Sequence, residues 1–182
     1  MTSPASPPEP ASHVLDAEAV YARLLAAIDA ALVADGRRPA LVGVHSGGAW
    51  VAGRLQADLA ARHGELPLGV LSSAFHRDDY AARGLRTSGG SVTRIDFPVE
   101  GADLLLVDDI LFTGRTVRAA LNELFDYGRP RTVRLAVLLD RGGRELPFQA
   151  DFVGQSMPLP PGQAFALGRG PDGRFTLSVE RA

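Results

Sequence analysis

The sequence predicts one α/β domain whose central sheet is mainly parallel. Its 182 residues match the usual size of a single domain, about 100 to 200 residues, and 46% of them are apolar. Short apolar runs of strand length alternate with segments of helical periodicity, a pattern typical of strands joined by crossover helices. Ligands of such folds bind beyond the carboxyl ends of the strands, so we expect functional residues in the turns that follow them.

Apolar spacing predicts the elements of the first half of the chain. Asp16 to Ala34 is predicted to be an amphipathic helix, because an apolar residue recurs at every fourth position. A short apolar run predicts a strand at Ala40 to Val44, followed by the glycine-containing turn His45 to Gly48 and a helix from about Ala49 to Arg62. Leu68 to Phe75 is predicted to be the next strand.

The second half begins with a long polar connection, His76 to Arg94. A connection of close to twenty residues with little periodicity is typical of a mobile loop that covers a binding site, and a hairpin is predicted near Val92 to Phe97. The remaining predicted elements are a strand at Leu104 to Val107, a helix with Val117, Leu121 and Leu124 on one face, a strand at Thr132 to Leu139, and short strands near Asp151 to Val153 and Phe175 to Val179.

Composition excludes several classes of chemistry. The chain has no cysteine, and all 19 of its basic residues are arginine, so thiolate zinc sites, Schiff-base catalysis and lysine-dependent P-loops are excluded. The proline-rich segment 1–13 predicts a disordered leader without the features of a secretory signal, before a single domain at 14–182, and we expect a cytoplasmic protein. A net charge of -2 without a basic run gives no obvious electrostatic footprint for nucleic acid, although a local basic patch could still assemble in the fold.

One segment carries the strongest functional signal. The apolar strand that ends at Val107 is followed by the acid pair Asp108 and Asp109, and then by Thr113 to Thr116 at the start of a helix. Threonine hydroxyls and backbone N–H groups at a helix start suit a phosphate monoester. Paired carboxylates suit the vicinal hydroxyls of a ribose and hold Mg²⁺ directly or through water. The alternative for an isolated acid pair is a solvated turn that caps a helix.

This segment resembles the phosphoribosyl-pyrophosphate (PRPP) motif of type I phosphoribosyltransferases, and more narrowly the PyrR family of pyrimidine operon regulators and uracil phosphoribosyltransferases. Three more stretches extend the resemblance from about residue 14 to 179, and they are His76 to Tyr80, Asn122 to Pro130, and Leu139 to Pro147. The resemblance implies the type I phosphoribosyltransferase fold with a mobile loop and a small hood. It also implies transfer of ribose 5-phosphate from PRPP to uracil, with Mg²⁺, to give UMP and pyrophosphate, and assembly into homodimers or larger homo-oligomers.

The resemblance also implies a role for each matching residue. Asp108 and Asp109 would hold the ribose hydroxyls, and Thr113, Gly114, Arg115 and Thr116 would cradle the 5-phosphate. The other implied positions are a pyrophosphate loop at Ser46, Gly47 and Gly48, base-proximal residues Asp140, Arg141 and Gly142, and a closing loop that begins at His76, Arg77, Asp78 and Asp79. Closure would exclude water during an oxocarbenium-like transition state.

Two departures from the family pattern bear on function. Many relatives read roughly Arg-Thr-Arg-Gly where this chain has His45 to Gly48, so two positive charges are missing from the pyrophosphate loop. RNA-binding relatives carry basic residues where this chain has Gly143, Gln149 and Gln155, which disfavours RNA as a partner. The fourth such position is Arg144, for which a surface ion pair with Glu145 or another acid is an equal alternative.

Three functional hypotheses therefore stand. The first is a PyrR-type uracil phosphoribosyltransferase, and the second is a UMP-sensing, RNA-binding regulator with vestigial transferase activity. A third is a PRPP-dependent enzyme with an unrelated acceptor. Trp50 and Phe112 could stack on a base, although packing is the commoner role of such aromatic residues, and the spacing of His13, His63 and His76 does not suggest zinc.

Overall fold

The computed structural model of the chain describes residues 15–72 and 93–181. The predicted leader 1–13 and the predicted closing-loop residues His76 to Asp79 lie outside the described residues. The elements in chain order are α1 (Ala17–Asp35), β1 (Ala40–Val44), α2 (Gly47–His63), β2 (Leu68–Leu71), β3 (Asp103–Leu111), α3 (Arg115–Asp126), β4 (Thr132–Asp140), β5 (Phe152–Ser156), β6 (Gln163–Arg169) and β7 (Phe175–Arg181).

Five strands form the central sheet in the order β2-β1-β3-β4-β5, and every neighbouring pair is parallel. The predicted α/β class is therefore confirmed. Because all five strands run in one direction, the segments that follow β1, β3 and β4 emerge at the same edge of the sheet. This carboxyl edge brings together the turn after Val44, the acid pair near the end of β3 and the loop that begins at Asp140.

Both faces of the sheet are covered, which explains why the central strands are almost wholly apolar. On one face Leu105 and Val107 pack in a cluster with α1, α2 and Phe175 of β7. On the other face Leu104 and Leu106 pack in a second cluster with α3. None of the helices within 15–72 and 93–181 has the length and apolarity that crossing a bilayer would require.

The first helix shows how closely local sequence signals determine element boundaries. The Asp16 carboxylate accepts hydrogen bonds from the backbone N–H groups of Glu18 and Ala19, at 3.0 and 3.1 Å, and so caps the start of α1. At the other end Gly36 adopts a left-handed conformation with φ of 63°, which a glycine tolerates without strain. The predicted helix differs from the observed one by one residue at each end.

Strand β3 is longer than predicted. The apolar run ends at Val107, but the backbone ladder with β4 continues through the pairs Asp108 with Val137 and Leu111 with Asp140. The predicted turn at Asp108 and Asp109 is therefore wrong, and both acids lie within the strand. Strand pairing depends on the neighbouring backbone, so polar side chains at a sheet edge do not end it.

The carboxyl-terminal hairpin was only half predicted. Strand β7 extends the predicted Phe175 to Val179 segment to Arg181, whereas β6, Gln163–Arg169, has no counterpart among the predicted elements. The two strands pair antiparallel as a separate small sheet, which fits the small hood that the resemblance implied. Of the hairpin predicted near Val92 to Phe97, the described part has one antiparallel bridge, between Arg94 and Val70.

Candidate active site

The start of α2 packs directly against the acid pair of β3, because the helix begins at Gly47, two residues earlier than predicted. A methyl group at Gly47 would lie 2.1 Å from Oδ2 of Asp109, and one at Gly48 would lie 2.4 Å from the backbone oxygen of Val107. Real Cβ atoms do not approach other atoms so closely, so only glycine fits at both positions. The structure thus brings the predicted pyrophosphate loop and the predicted ribose-binding acids into contact.

The two acids have different surroundings. Asp108 is only 4% exposed, and its Oδ1 accepts a hydrogen bond of 3.0 Å from the backbone N–H of Asp109. Asp109 is half-buried and faces Gly47. Up to Val107, the odd-numbered side chains of β3 face the α1–α2 cluster and the even-numbered ones face the α3 cluster. After the acid pair this pattern is reversed, because Ile110 packs with the α1–α2 cluster and Leu111 packs with the α3 cluster. Asp109 is therefore the acid that faces the predicted pyrophosphate loop at the carboxyl edge.

The two helices that begin at this edge receive no side-chain hydrogen bond from their N-cap residues. Neither Ser46, before α2, nor Gly114, before α3, makes a side-chain hydrogen bond to its helix, in contrast to Asp16 before α1. Helix starts expose backbone N–H groups and the positive end of the helix dipole, both of which attract anions. Two such helix starts flank Asp109, an arrangement suited to a ligand that carries phosphate groups at both ends.

Thr113 joins the start of α3 to the loop after β4. Its backbone carbonyl accepts hydrogen bonds of 3.0 Å from the N–H groups of Glu145 and Leu146, while its hydroxyl accepts a hydrogen bond of 3.3 Å from the N–H of Arg115. The Arg115 guanidinium pairs with the Glu145 carboxylate at 2.8 Å, and both side chains are about half exposed. In the predicted phosphate cradle, the side chain of Arg115 therefore contacts the β4 loop.

Asp140 and Arg144 hold the loop after β4 in shape. Asp140 accepts a 2.8 Å hydrogen bond from the N–H of Gly142 and forms an ion pair of 2.5 Å with Arg144. The Arg144 guanidinium also donates to the backbone carbonyls of Phe112 and Phe148, at 2.6 and 3.0 Å. The predicted alternative of an ion pair for Arg144 is therefore confirmed, although the partner is Asp140 and not Glu145.

Phe112 and Arg141 form a stacked pair that the sequence did not reveal. The Arg141 guanidinium carbon lies 3.7 Å from the centre of the Phe112 ring, a cation–π contact. Arg141 Nε is buried and has no hydrogen-bond partner in the part of the chain that the structure describes. A methyl group at Gly143 would lie 2.5 Å from the same ring, so glycine at 143 leaves room for the pair. Phe112 therefore supports Arg141 in a position beside the carboxyl edge.

Gln155, another of the four positions predicted to matter for RNA, also makes an internal contact. Gln155 accepts a hydrogen bond of 2.5 Å from the guanidinium of Arg23, which also donates to the Gly154 carbonyl at 3.0 Å. This arginine on α1 therefore anchors α1 to β5. Arg23 and Arg144, two basic side chains near the predicted RNA surface, therefore both bind other groups of this chain.

A cavity of about 570 Å³ extends from the turn after β1, between α2 and the β6–β7 hairpin. Arg54 on its wall is held by two hydrogen bonds to the Glu18 carboxylate, at 2.8 and 2.7 Å. The Arg54 hydrogen bond is the main reason that the pKa of Glu18 falls from 4.5 to about 2. Burial is the main reason that the pKa of the neighbouring Tyr21 rises, and its hydroxyl donates to Asp58 at 2.6 Å.

Comparison with known proteins agrees with this geometry. Residues 11–162 match the phosphoribosyl transferase domain family. The chain is 45% identical to the bifunctional protein PyrR of Ralstonia nicotianae over 93% of this chain and 97% of the relative. It is equally identical to the bifunctional protein PyrR of Nitrosococcus oceani, over 91% of each chain.

The chain belongs to the PyrR family. A solved structure of the hypoxanthine phosphoribosyl transferase of Trypanosoma cruzi is similar in fold, with 27% identity and a TM-score of 0.58 over 84% of this chain and 83% of that one. The predicted family and the predicted type I phosphoribosyltransferase fold are thus confirmed. The individual residue roles within the PyrR site stay predictions, and those of His76 to Asp79 lie outside the described residues.

Proposed function

We propose that this PyrR-family protein transfers ribose 5-phosphate from PRPP to N1 of uracil, giving UMP and pyrophosphate. The contact between Asp109 and Gly47, at the sheet edge where α2 and α3 both begin, carries the proposal. PRPP has a phosphate at one end, a pyrophosphate at the other and a ribose between them. The site offers the matching sequence of groups: N–H groups, a carboxylate, and N–H groups again.

Each part of the edge has a defined task in this reaction. Thr113 to Thr116 would bind the 5-phosphate, and Ser46 to Gly48 the pyrophosphate, so that the bond between C1 and the leaving oxygen is held between fixed groups. Asp108 and Asp109 would accept hydrogen bonds from the ribose hydroxyls. Positive charge develops on the ribose ring as the pyrophosphate leaves, and the nearby Asp109 carboxylate stabilises it.

The donor set fits Mg²⁺ that arrives with the substrate. Within residues 15–72 and 93–181 no group of three or more histidine, cysteine, aspartate or glutamate side chains could hold a metal ion. Mg²⁺ prefers one or two carboxylates together with phosphate oxygens and water, and Asp108 and Asp109 would supply that share. When bound, Mg²⁺ would neutralise charge on the pyrophosphate leaving group.

Uracil is the proposed acceptor because the resembling purine and orotate enzymes use lysine, near the base or in the mobile loop, and this chain contains none. The base would lie beside the loop after β4, where Asp140 and Gly142 are held by a mutual hydrogen bond and Arg141 is held by Phe112. The proposal includes a cytoplasmic location and assembly into a homo-oligomer.

The test is an assay of purified protein with PRPP, Mg²⁺ and labelled uracil, with hypoxanthine and orotate as competing acceptors. UMP should form, and neither of the other bases should yield a nucleotide at a comparable rate. Formation of a purine nucleotide or of orotidylate in place of UMP would reject the assignment of uracil. Absence of any nucleotide across a range of pH would reject the transferase proposal.

The second candidate function is a UMP-sensing regulator that binds leader RNA, because the relatives from Ralstonia nicotianae and Nitrosococcus oceani are named bifunctional proteins. Arg23 binds Gln155 and Arg144 binds Asp140, so neither guanidinium is free to bind RNA phosphates, and this disfavours tight RNA binding. A gel-shift titration with a pyrimidine-operon leader RNA, with and without UMP, separates the two candidates. Binding tighter than micromolar that depends on UMP would favour the regulator, and weak binding independent of RNA sequence would count against it.

A further inference from the structure

The cavity beside the turn after β1 is lined by charged side chains of the β6–β7 hairpin. Its walls include His45 from the turn, Arg54 from α2, and Arg169, Asp172 and Arg174 from the hairpin. The hairpin lies beyond the residues 11–162 that match the phosphoribosyl transferase domain family. The family match therefore assigns these residues no role.

Arg54 contributes little net positive charge to this cavity. Its guanidinium forms a bidentate pair with Glu18, and Asp58 lies 3.8 Å from its Nε. Two carboxylates thus balance one guanidinium. Arg54 also lies over the ring of Tyr21, at 4.1 Å from the ring centre, and this fixes its orientation.

The two arginines of the hairpin differ from Arg54 in that neither forms an ion pair with a neighbouring carboxylate among the described residues. Both Arg169 and Arg174 are exposed, and in the described part of the chain neither guanidinium has a carboxylate within ion-pair distance or a hydrogen-bond acceptor. Arg174 is nevertheless close enough to Glu18 to help lower the pKa of that carboxyl. Asp172, the acid between them, turns Oδ1 toward the backbone N–H of Arg174 at 3.1 Å. The hairpin therefore presents two unpaired guanidinium groups and one acid engaged by its own turn.

We propose that Arg169 and Arg174 bind the pyrophosphate group of PRPP and supply the positive charge that the turn Ser46 to Gly48 lacks. The proposal rests on the proposed transferase function and extends it to the leaving group. His45 and Ala49, which lie on either side of the segment Ser46 to Gly48, both line the cavity, so an anion bound at the start of α2 would lie beside it. Guanidinium groups suit this ligand, because they form paired, charge-assisted hydrogen bonds to phosphate oxygens.

The test compares binding of Mg²⁺-pyrophosphate and of UMP by calorimetry. The variants are R169S, R174S and the double variant, and R181S is the matched control because Arg181 belongs to the same hairpin but does not line the cavity. Each single variant should weaken pyrophosphate binding about five-fold and the double variant at least twenty-fold. Binding of UMP, which has no pyrophosphate, should change less than two-fold, and R181S should behave as wild type.

The outcomes separate this proposal from the transferase proposal. Unchanged pyrophosphate affinity in a double variant with a wild-type melting temperature would overturn the role of the arginines, whatever the assay with uracil shows. Tight pyrophosphate binding that the double variant loses, in a protein that makes no UMP, would support the arginines and reject the uracil reaction. If R169S/R174S fails to fold, the two single variants decide: at a wild-type melting temperature each should bind pyrophosphate about five-fold more weakly, and unchanged affinity in both would overturn the proposal.

Discussion

At the scale of single residues, Asp108 and Asp109 differ in burial and in the groups they face. Asp108 is buried within β3, whereas Asp109 faces the turn that begins α2. The sequence predicted the acid pair and the loop Ser46 to Gly48 because each lies in a short motif of its own. It could not predict the unequal burial, which depends on how β4 and α2 pack against β3.

We expect Asp109→Asn to weaken PRPP binding about tenfold without unfolding the protein, because the half-buried side chain faces a wet edge. A ligand at a hundred times its Kd stabilises a protein by about 2.7 kcal/mol, and tenfold weaker binding lowers this to about 1.4 kcal/mol. Thermal melting with and without PRPP measures the difference. An unchanged shift with PRPP would show that Asp109 does not contact the donor.

Gly48→Ala should destabilise the protein by about 2 kcal/mol or more, because the new methyl group would meet the Val107 carbonyl at 2.4 Å. Gly53→Ala is the matched control within the same helix. A methyl group at Gly53 meets nothing within 4 Å, and alanine favours a helix over glycine, so this variant should gain about 0.5 to 1 kcal/mol. Equal effects of the two changes in urea unfolding would contradict the close packing of α2 on β3.

At the scale of elements, α1, α2 and the hairpin are joined through one carboxylate. Glu18 on α1 binds Arg54 on α2 and accepts a hydrogen bond of 2.7 Å from the backbone N–H of Phe175 on β7. This junction could not be predicted from the sequence, because the three residues are brought together only by the packing of distant elements. The same reason explains why β6 was missed, since its strand form depends on pairing with β7.

This junction predicts a pH dependence of stability. The pKa of Glu18 is lowered in the folded protein from 4.5 to about 2, chiefly by the Arg54 hydrogen bond, so its contribution is complete above pH 4.5 and is lost as the pH falls toward 2. Because the pair is partly exposed, we expect Glu18→Gln to cost about 1 kcal/mol at pH 7 and much less at pH 2.5. Urea unfolding at both pH values tests this, with the exposed Glu65→Gln as control. A cost for E18Q that is the same at both pH values would contradict the assignment.

The loop after β4 depends on Arg144. We expect Arg144→Ala to cost about 2 to 3 kcal/mol, because it leaves Asp140 and several backbone carbonyls without their donor. If this loop lies beside the base, the KM for uracil should rise more than the KM for PRPP. Arg118→Ala, at an exposed position on α3, should change neither quantity. A rise in the KM for PRPP alone would place the loop away from the base.

At the scale of the whole molecule, the sequence predicted the sheet class and the edge that carries the site. The strand at Ala40–Val44 was predicted with its observed bounds, because an apolar run lies between a proline and a glycine-containing turn. Side-chain pairs such as Arg115 with Glu145, or Arg141 with Phe112, could not be predicted, because each joins segments that meet only in the folded chain. Sequence patterns therefore predict where strands, helices and candidate site residues lie along the chain, whereas the contacts between distant side chains are known only from the structure.

A crystal structure of the protein with PRPP and Mg²⁺ would test most directly whether PRPP binds at the carboxyl edge of the sheet. We expect the 5-phosphate at Thr113 to Thr116, the ribose beside Asp109 and the pyrophosphate at Ser46 to Gly48. PRPP bound away from the carboxyl edge, or bound there in the reverse orientation, would contradict this expectation.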